Sequence, residues 1–231
     1  MRRALGYLLA AMTVGCSGLT EDEGGVVGIE VQVPGPDSLE VGESIQLAAR
    51  PLDKNGDSVA ATVVWVSVDP TAVIDASTGV LTGVSVGSAR VQATVGSLGS
   101  NLITFSVVPP ADTLTISGDS VFVSPVDAAT LPDFVTLVNS FNPAGPVPNQ
   151  GVIYAITDPD PLTTTPSVVL NTNGQSTDTV PTGSDGTARS ALRLLPGVTP
   201  PESVIVAVGA TRIRGAHVPG SGARFILRLQ Q

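Results

Sequence analysis

A chain of 231 residues with 42% hydrophobic content and a net charge of −9 can build one large or two ordinary globular domains, which excludes pervasive disorder. Its 34 valines, 23 threonines and 10 isoleucines exceed a quarter of the sequence, against a single lysine, so the composition suits pleated, half-buried surfaces and excludes a mainly helical fold. Twenty-five glycines and 19 prolines imply many turns between short strands.

Met1-Arg2-Arg3, the apolar run from Ala4 to Val14, and Gly15-Cys16-Ser17-Gly18 follow one another in the charged, apolar and small-residue order of an export signal. The run is too short to span a bilayer permanently. The chain's one cysteine sits where such a signal is cut, so no disulfide can form within the chain and the domains must hold by packing. Thr13-Val14-Gly15-Cys16 resembles the lipobox of bacterial lipoproteins, with Thr13 where leucine is commonest. The resemblance implies that residues 1–15 are a lipoprotein signal peptide and that Cys16 is acylated, palmitate being one such chain, and anchors the protein to a membrane. Ser17 after the cysteine is compatible with transfer to an outer membrane. An ordinary secretory signal or a signal-anchor remains the alternative. Residues 16–26, with Glu21-Asp22-Glu23, read as a flexible acidic tether.

Residues 27–108 read as a first domain. Val27, Ile29, Val31 and Val33 alternate with Gly28, Glu30 and Gln32, the period of two of a strand buried on one face. Pro34-Gly35-Pro36-Asp37 stops it. Ile45, Leu47 and Ala49 give the next strand, Asp53 to Asp57 a turn, and Thr62 to Val68, Ala89 to Val95 and Ile103 to Val107 further strands. Short strands at this spacing predict an antiparallel β-sandwich. Val41 to Leu47, Val63 to Pro70 with Trp65, and Gly79 to Ala89 together resemble the bacterial Ig-like domain of group 2, found in surface adhesins of the invasin and intimin kind and as spacers in secreted proteins. The resemblance implies that Trp65 is a core residue and that Gly79-Val80-Leu81-Thr82-Gly83 is a turn between strands.

After the stiff junction Pro109-Pro110-Ala111-Asp112, residues 112–231 read as a second sandwich, stacked end to end on the first. Strands are expected around Leu114 and Ile116, Phe134 to Val138, Val152 to Ile156, Val204 to Val208 and Phe225 to Leu229. Asn142 to Pro148 and Thr182 to Leu192 resemble the group 1, invasin-type Ig-like domain, which implies a turn at Asp185-Gly186 opening a strand. Thr157 to Pro181 reads as a long polar loop. The fold expected is therefore all-β, two tandem Ig-like antiparallel β-sandwich domains after a lipoprotein signal peptide.

Catalytic constellations are scarce. Gly83-Val84-Ser85-Val86-Gly87 fits the Gly-x-Ser-x-Gly nucleophile elbow, but that motif needs a helix after the serine and a strand pattern follows. The one histidine, His217, lies in the other domain and cannot alone build a zinc site. Asp53, Asn55 and Asp57 surround Gly56 as in short calcium loops, but without the downstream glutamate of an EF-hand, and turn chemistry, the favoured reading, explains the same residues without metal. No cofactor is expected, and the reading is non-catalytic. Charge is uneven: residues 16–185 hold 19 acidic residues against Arg50, Lys54 and Arg90, whereas six arginines follow against Glu202 alone. Arg189 and Arg193, Arg212 and Arg214, and Arg224 and Arg228 are evenly spaced. Were their strands adjacent, they would present one basic sheet face for a glycan, an anionic lipid or polymer, or an acidic partner domain. Nucleic acid is not expected, because the chain is acidic and lacks aromatic residues among the basic ones. The function expected is a lipid-anchored envelope module, structural or adhesive, with a possible protein or glycan partner at the cell surface. The alternative is an envelope ligand-binding module that uses the basic face.

Overall fold

The computed structural model describes residues 25–128, 130–162 and 166–230. Cys16, the signal peptide and most of the tether lie outside the described residues. Val26, the last tether residue, is fully buried, so the folded part starts one residue earlier than the sequence suggests. Among the described residues no helix is long and apolar enough to cross a membrane.

The first domain is built from β1 (Gly28–Gln32), β2 (Ser38–Glu40), β3 (Ser44–Gln46), β4 (Ala48–Leu52), β5 (Val64–Ser67), β6 (Ala72–Ile74), β7 (Val80–Gly83), β8 (Gly87–Val95), β9 (Leu98–Gly99) and β10 (Ile103–Val108). One layer is the sheet β2-β10-β8-β5, with β9 on β8; the other holds the β1-β4 pair and the sheet β3-β7-β6. Leu39, Trp65, Ala89, Val91, Phe105 and Val107 from the first layer meet Ile45, Leu47, Ile74 and Leu81 from the second.

The second domain comprises β11 (Thr113–Ile116), β12 (Val121–Pro125), β13 (Asp133–Phe141), β14 (Ala144–Pro146), β15 (Gly151–Asp158), β16 (Val168–Leu170), β17 (Thr177–Pro181), β18 (Thr187–Leu194), β19 (Ser203–Ala210) and β20 (Arg224–Gln230). Its sheets are β11-β13-β18-β16, with β14 on β13, and β12-β20-β19-β15-β17. Phe134 and Phe225 stack across the core with ring centroids 4.8 Å apart, and Phe122 packs 5.6 Å from Phe134. Such aromatic pairs add about 0.5–1.5 kcal/mol beyond area burial.

Both domains close in the same way. The chain begins antiparallel in one sheet, β1 on β4 and β11 on β13, then crosses to lie parallel to the domain's last strand, β2 on β10 and β12 on β20. Neither N-terminal segment can therefore peel away without opening both layers.

Three expectations need correction. The single strand read through Ile45, Leu47 and Ala49 is two, because at Leu47 the backbone turns its N–H to the carbonyl of Gly79 before β4 pairs with β1. Burial still alternates unbroken from Ser44 to Pro51, which is what the sequence pattern registered. Gly79 to Gly83 is not a turn throughout: only Gly79, at φ +76°, turns, and Val80–Gly83 is a strand between β3 and β6. Residues 157–181 are not one loop, since β16 pairs with β18 and β17 with β15.

Candidate functional site

The linker between the sandwiches is short. Val108 still accepts a hydrogen bond from Val41 at 3.0 Å, and Asp112 already donates to Asn139 at 2.9 Å, so only residues 109–111 lie between the two backbone networks. Pro109 and Pro110 fix their own φ, and Ala111 is buried.

A second tie comes from far along the sequence. Between β19 and β20 the chain makes a tight reversal, with Thr211 bridged to His217, Arg212 donating to Ala216 at 2.7 Å, and Gly215 at φ +86°. The reversal aims two arginines back at the first domain. Arg212 reaches Glu40 at 3.0 Å with one terminal nitrogen and Asp112 at 2.7 Å with the other. Arg214 donates through Nε to Glu43 at 2.9 Å, and its terminal nitrogens reach the carbonyls of Pro34 at 3.3 Å, Pro36 at 3.4 Å and Ser38 at 3.0 Å. Those carbonyls belong to the crossover from β1 to β2, so the second domain caps the segment that closes the first.

The carboxylates are held ready. Glu43 Oε2 accepts the backbone N–H of Glu40 at 2.8 Å, and Asp112 Oδ2 accepts that of Phe141 at 2.7 Å, leaving one oxygen of each for an arginine. Gly35, at φ +85°, approaches so closely that a Cβ there would stand 2.7 Å from Arg214 Nη1. Glu40 is 7% exposed, and burial pushes its carboxyl above the usual carboxylate range, with the Arg212 charge opposing the shift. Arg212 thus offsets the cost of an otherwise stranded buried carboxylate.

The six arginines therefore do not share a face. Arg189 and Arg193 project outward from β18, opposite Val135 and Val169, while Arg224 and Arg228 project outward from β20, opposite Ala207 and Ser203. Because β18 and β20 lie in opposite sheets of the sandwich, these two pairs point away from each other. Arg212 and Arg214 lie on no strand and meet acidic residues of the neighbouring domain. Sequence reasoning missed Glu40, Glu43 and Asp112. The available signal was Arg-x-Arg inside a glycine-rich reversal and two glutamates three apart beside a turn.

At Asp53 one carboxylate oxygen accepts the backbone N–H groups of Asn55 and Asp57, both at 2.9 Å, and the other accepts the Asn55 amide at 3.2 Å. These bonds, that from Asp57 foremost, hold the Asp53 carboxyl below its ordinary range. These bonds form the turn that the sequence reading offered for Asp53, Asn55 and Asp57. Ser85 sits exposed in a bend, and strand β8 follows where an elbow needs a helix. Trp65 is buried, as the resemblance implied, and a Cβ on Gly79 would come 2.6 Å from its indole nitrogen. Among the described residues no cluster of three histidine, cysteine or acidic side chains is placed to hold a metal.

Residues 31–104 match the family model of the bacterial Ig-like domain, group 2. That group 2 match runs from within β1 to within β10 and leaves the second domain outside it. No curated protein gives a significant match to the sequence. Among solved structures, the chain is similar to the Yersinia pseudotuberculosis adhesin InvE, at 14% identity and a TM-score of 0.43 over 85% of this chain and 57% of that one. It is also similar to domains 4 and 5 of the S-layer protein SbsC, at 12% identity and a TM-score of 0.33 over 80% and 82%. A third likeness is to the fibronectin(III)-like modules of Clostridium thermocellum CbhA, at 14% identity and a TM-score of 0.36 over 88% and 94%. The chain thus spans little more than half the length of the InvE chain it matches. Identities this low and superpositions this loose say nothing about a shared function.

Proposed function

We propose that this protein is a non-catalytic module of the bacterial cell envelope, held to the membrane by acylated Cys16 and set off from it by the acidic tether of residues 16–26. Its two Ig-like sandwiches act as one spacer or adhesive unit. The observation that carries this reading is the joint, where Arg212 and Arg214 engage Glu40 and Glu43 across the domain boundary while Asp112, on Arg212's own domain, holds the other end of its guanidinium. A spacer must transmit position from its anchored end to its distal end, and a three-residue linker backed by these bonds restricts how far the two sandwiches can swing apart. The group 2 match supports the same reading, since such domains occur as spacers and in adhesins. Placement on an outer membrane rests on Ser17.

The test is metabolic labelling with an alkyne fatty acid, combined with protease treatment of intact and lysed cells. Label on the wild-type chain that vanishes in Cys16→Ser is the expected result. Equal label in both would sink the lipid anchor. Digestion in intact cells would place the domains outside and favour adhesion; protection until lysis would favour a structural role in the periplasm.

A further inference from the structure

In a two-layer sandwich the face of a sheet turned away from the core ordinarily carries polar residues. On the outward face of β12-β20-β19-β15-β17 polar residues such as Ser203, Thr177 and Thr179 share the surface with a run of apolar ones. Its cross-strand rows include Val121 beside Ile226 beside Ile205, and Ala155 beside Ala207, with Ile153 next to Gly209. Val121 is 50% exposed and Ile153 37%, and the charged residues in these rows are Arg224, Arg228 and Asp158. Among the described residues neither arginine makes an ion pair.

We propose that this face docks against the same face of a second copy of the chain. Beyond the spacer reading, this makes the protein a face-to-face dimer through its second domain, whatever anchors it. Three observations favour a second copy. First, five strands about 4.8 Å apart, with outward residues about 6.7 Å apart along each, present on the order of 600–700 Å². Two such faces bury about 1,300 Å² together, within the range of about 1,200–2,000 Å² that stable interfaces need. Second, the apolar part of the face, Val121, Ile226, Ile205, Ile153, Ala155 and Ala207, consists of β-branched and small side chains, which interdigitate with their own kind as the inner faces of a sandwich do. The sheet's edges do not invite growth sideways, because β12 ends in Pro125 and β17 in Pro181.

Third, the charges complement themselves. With a twofold axis along β19, β20 of one copy lies over β15 of the other. Arg224 stands level with Ala207 and Arg228 with Ser203, while Asp158 stands level with Ile205, between them. Each copy's two arginines therefore bracket the other's exposed Asp158, and the isologous pairing places like charges apart.

The experiment is thiol cross-linking of the full chain in intact membranes, with sedimentation of the purified full chain beside it. Ala207→Cys lies on the proposed axis, and a short bismaleimide should join it into a product of twice the chain mass. Wild type and Val73→Cys, whose cysteine would stand on an exposed position of the first domain, should give none. Asp158→Arg, at an exposed position, should weaken dimerisation at least tenfold, and Asp158→Arg combined with Arg224→Asp and Arg228→Asp should restore it. Ile226→Lys, checked for folding by its melting curve, should abolish it. A chain that sediments as a monomer up to about 100 µM, or a dimer indifferent to both Asp158→Arg and Ile226→Lys, would overturn the proposal.

Discussion

Gly79 and Tyr154 show how much single residues decide here. Gly79 combines a left-handed backbone with direct contact on Trp65 and the Leu47 carbonyl, so alanine meets both a conformational and a steric penalty. Gly79→Ala should lose about 2–3 kcal/mol in urea unfolding followed by the fluorescence of the sole tryptophan. A smaller loss than about 1 kcal/mol would mean that the indole can shift aside. Tyr154 is buried, shares a 2.7 Å hydrogen bond with Thr136 and donates at 2.8 Å to the carbonyl of Ala188. Burial pushes its phenol from 10 up to about 12. The unfolded chain ionises first, so this contribution is complete below pH 10 and is lost as pH rises toward 12. Tyr154→Phe should cost about 1–2 kcal/mol at neutral pH, and its melting temperature should fall less steeply than that of wild type between pH 10 and 12. Trp65 was legible as a core residue from its motif. The buried hydroxyl pair was not, because nothing in a period-two pattern says that Thr136 and Tyr154 face each other across the two sheets.

Among elements, the turn between β6 and β7 depends on one carboxylate. Asp75 Oδ1 accepts the backbone N–H groups of Ser77 at 2.9 Å and Thr78 at 2.8 Å, and the Ser77 hydroxyl at 2.8 Å. These bonds, that from Thr78 foremost, hold its carboxyl far below the ordinary carboxylate range. A depressed carboxyl stabilises the fold above its unfolded value and stops doing so as acid titrates the folded form. Asp75→Asn should therefore melt earlier than wild type at neutral pH, and the two curves should converge as pH falls below the ordinary carboxylate range. A constant gap across pH would remove this account. Long alternating strands such as β8, β13, β15 and β19 were readable, because each buries every second residue over eight or nine positions. The short β2, β6 and β16 were not, since three residues carry too little period to distinguish a strand from a loop. Edge strand β17, Thr-Asp-Thr-Val-Pro, reads as loop because half of it faces water.

At the scale of the molecule the joint decides behaviour. Glu40 takes up a proton more readily in the folded chain than in the unfolded one, so its ionised form weakens the fold increasingly as pH rises above the ordinary glutamate value of 4.5. Arg212 opposes that loss at neutral pH. Arg212→Met should therefore destabilise by about 1–3 kcal/mol at pH 7 and by less at pH 4, where Glu40 is largely protonated. Arg212→Glu with Arg214→Glu should widen the spread of interdomain distances in solution scattering; a scattering profile equal to that of wild type would show that residues 109–111 fix the angle unaided. The sequence by itself determined the class of fold and most long strands, because hydrophobic period and turn residues are local signals. Only the tertiary structure decided where the arginines go. Strands 30 or more residues apart were assigned to opposite sheets, which scattered the expected basic face, and a reversal more than 170 residues from Glu40 brought Arg212 against it. Such pairings depend on which strands become neighbours, and no local pattern encodes that.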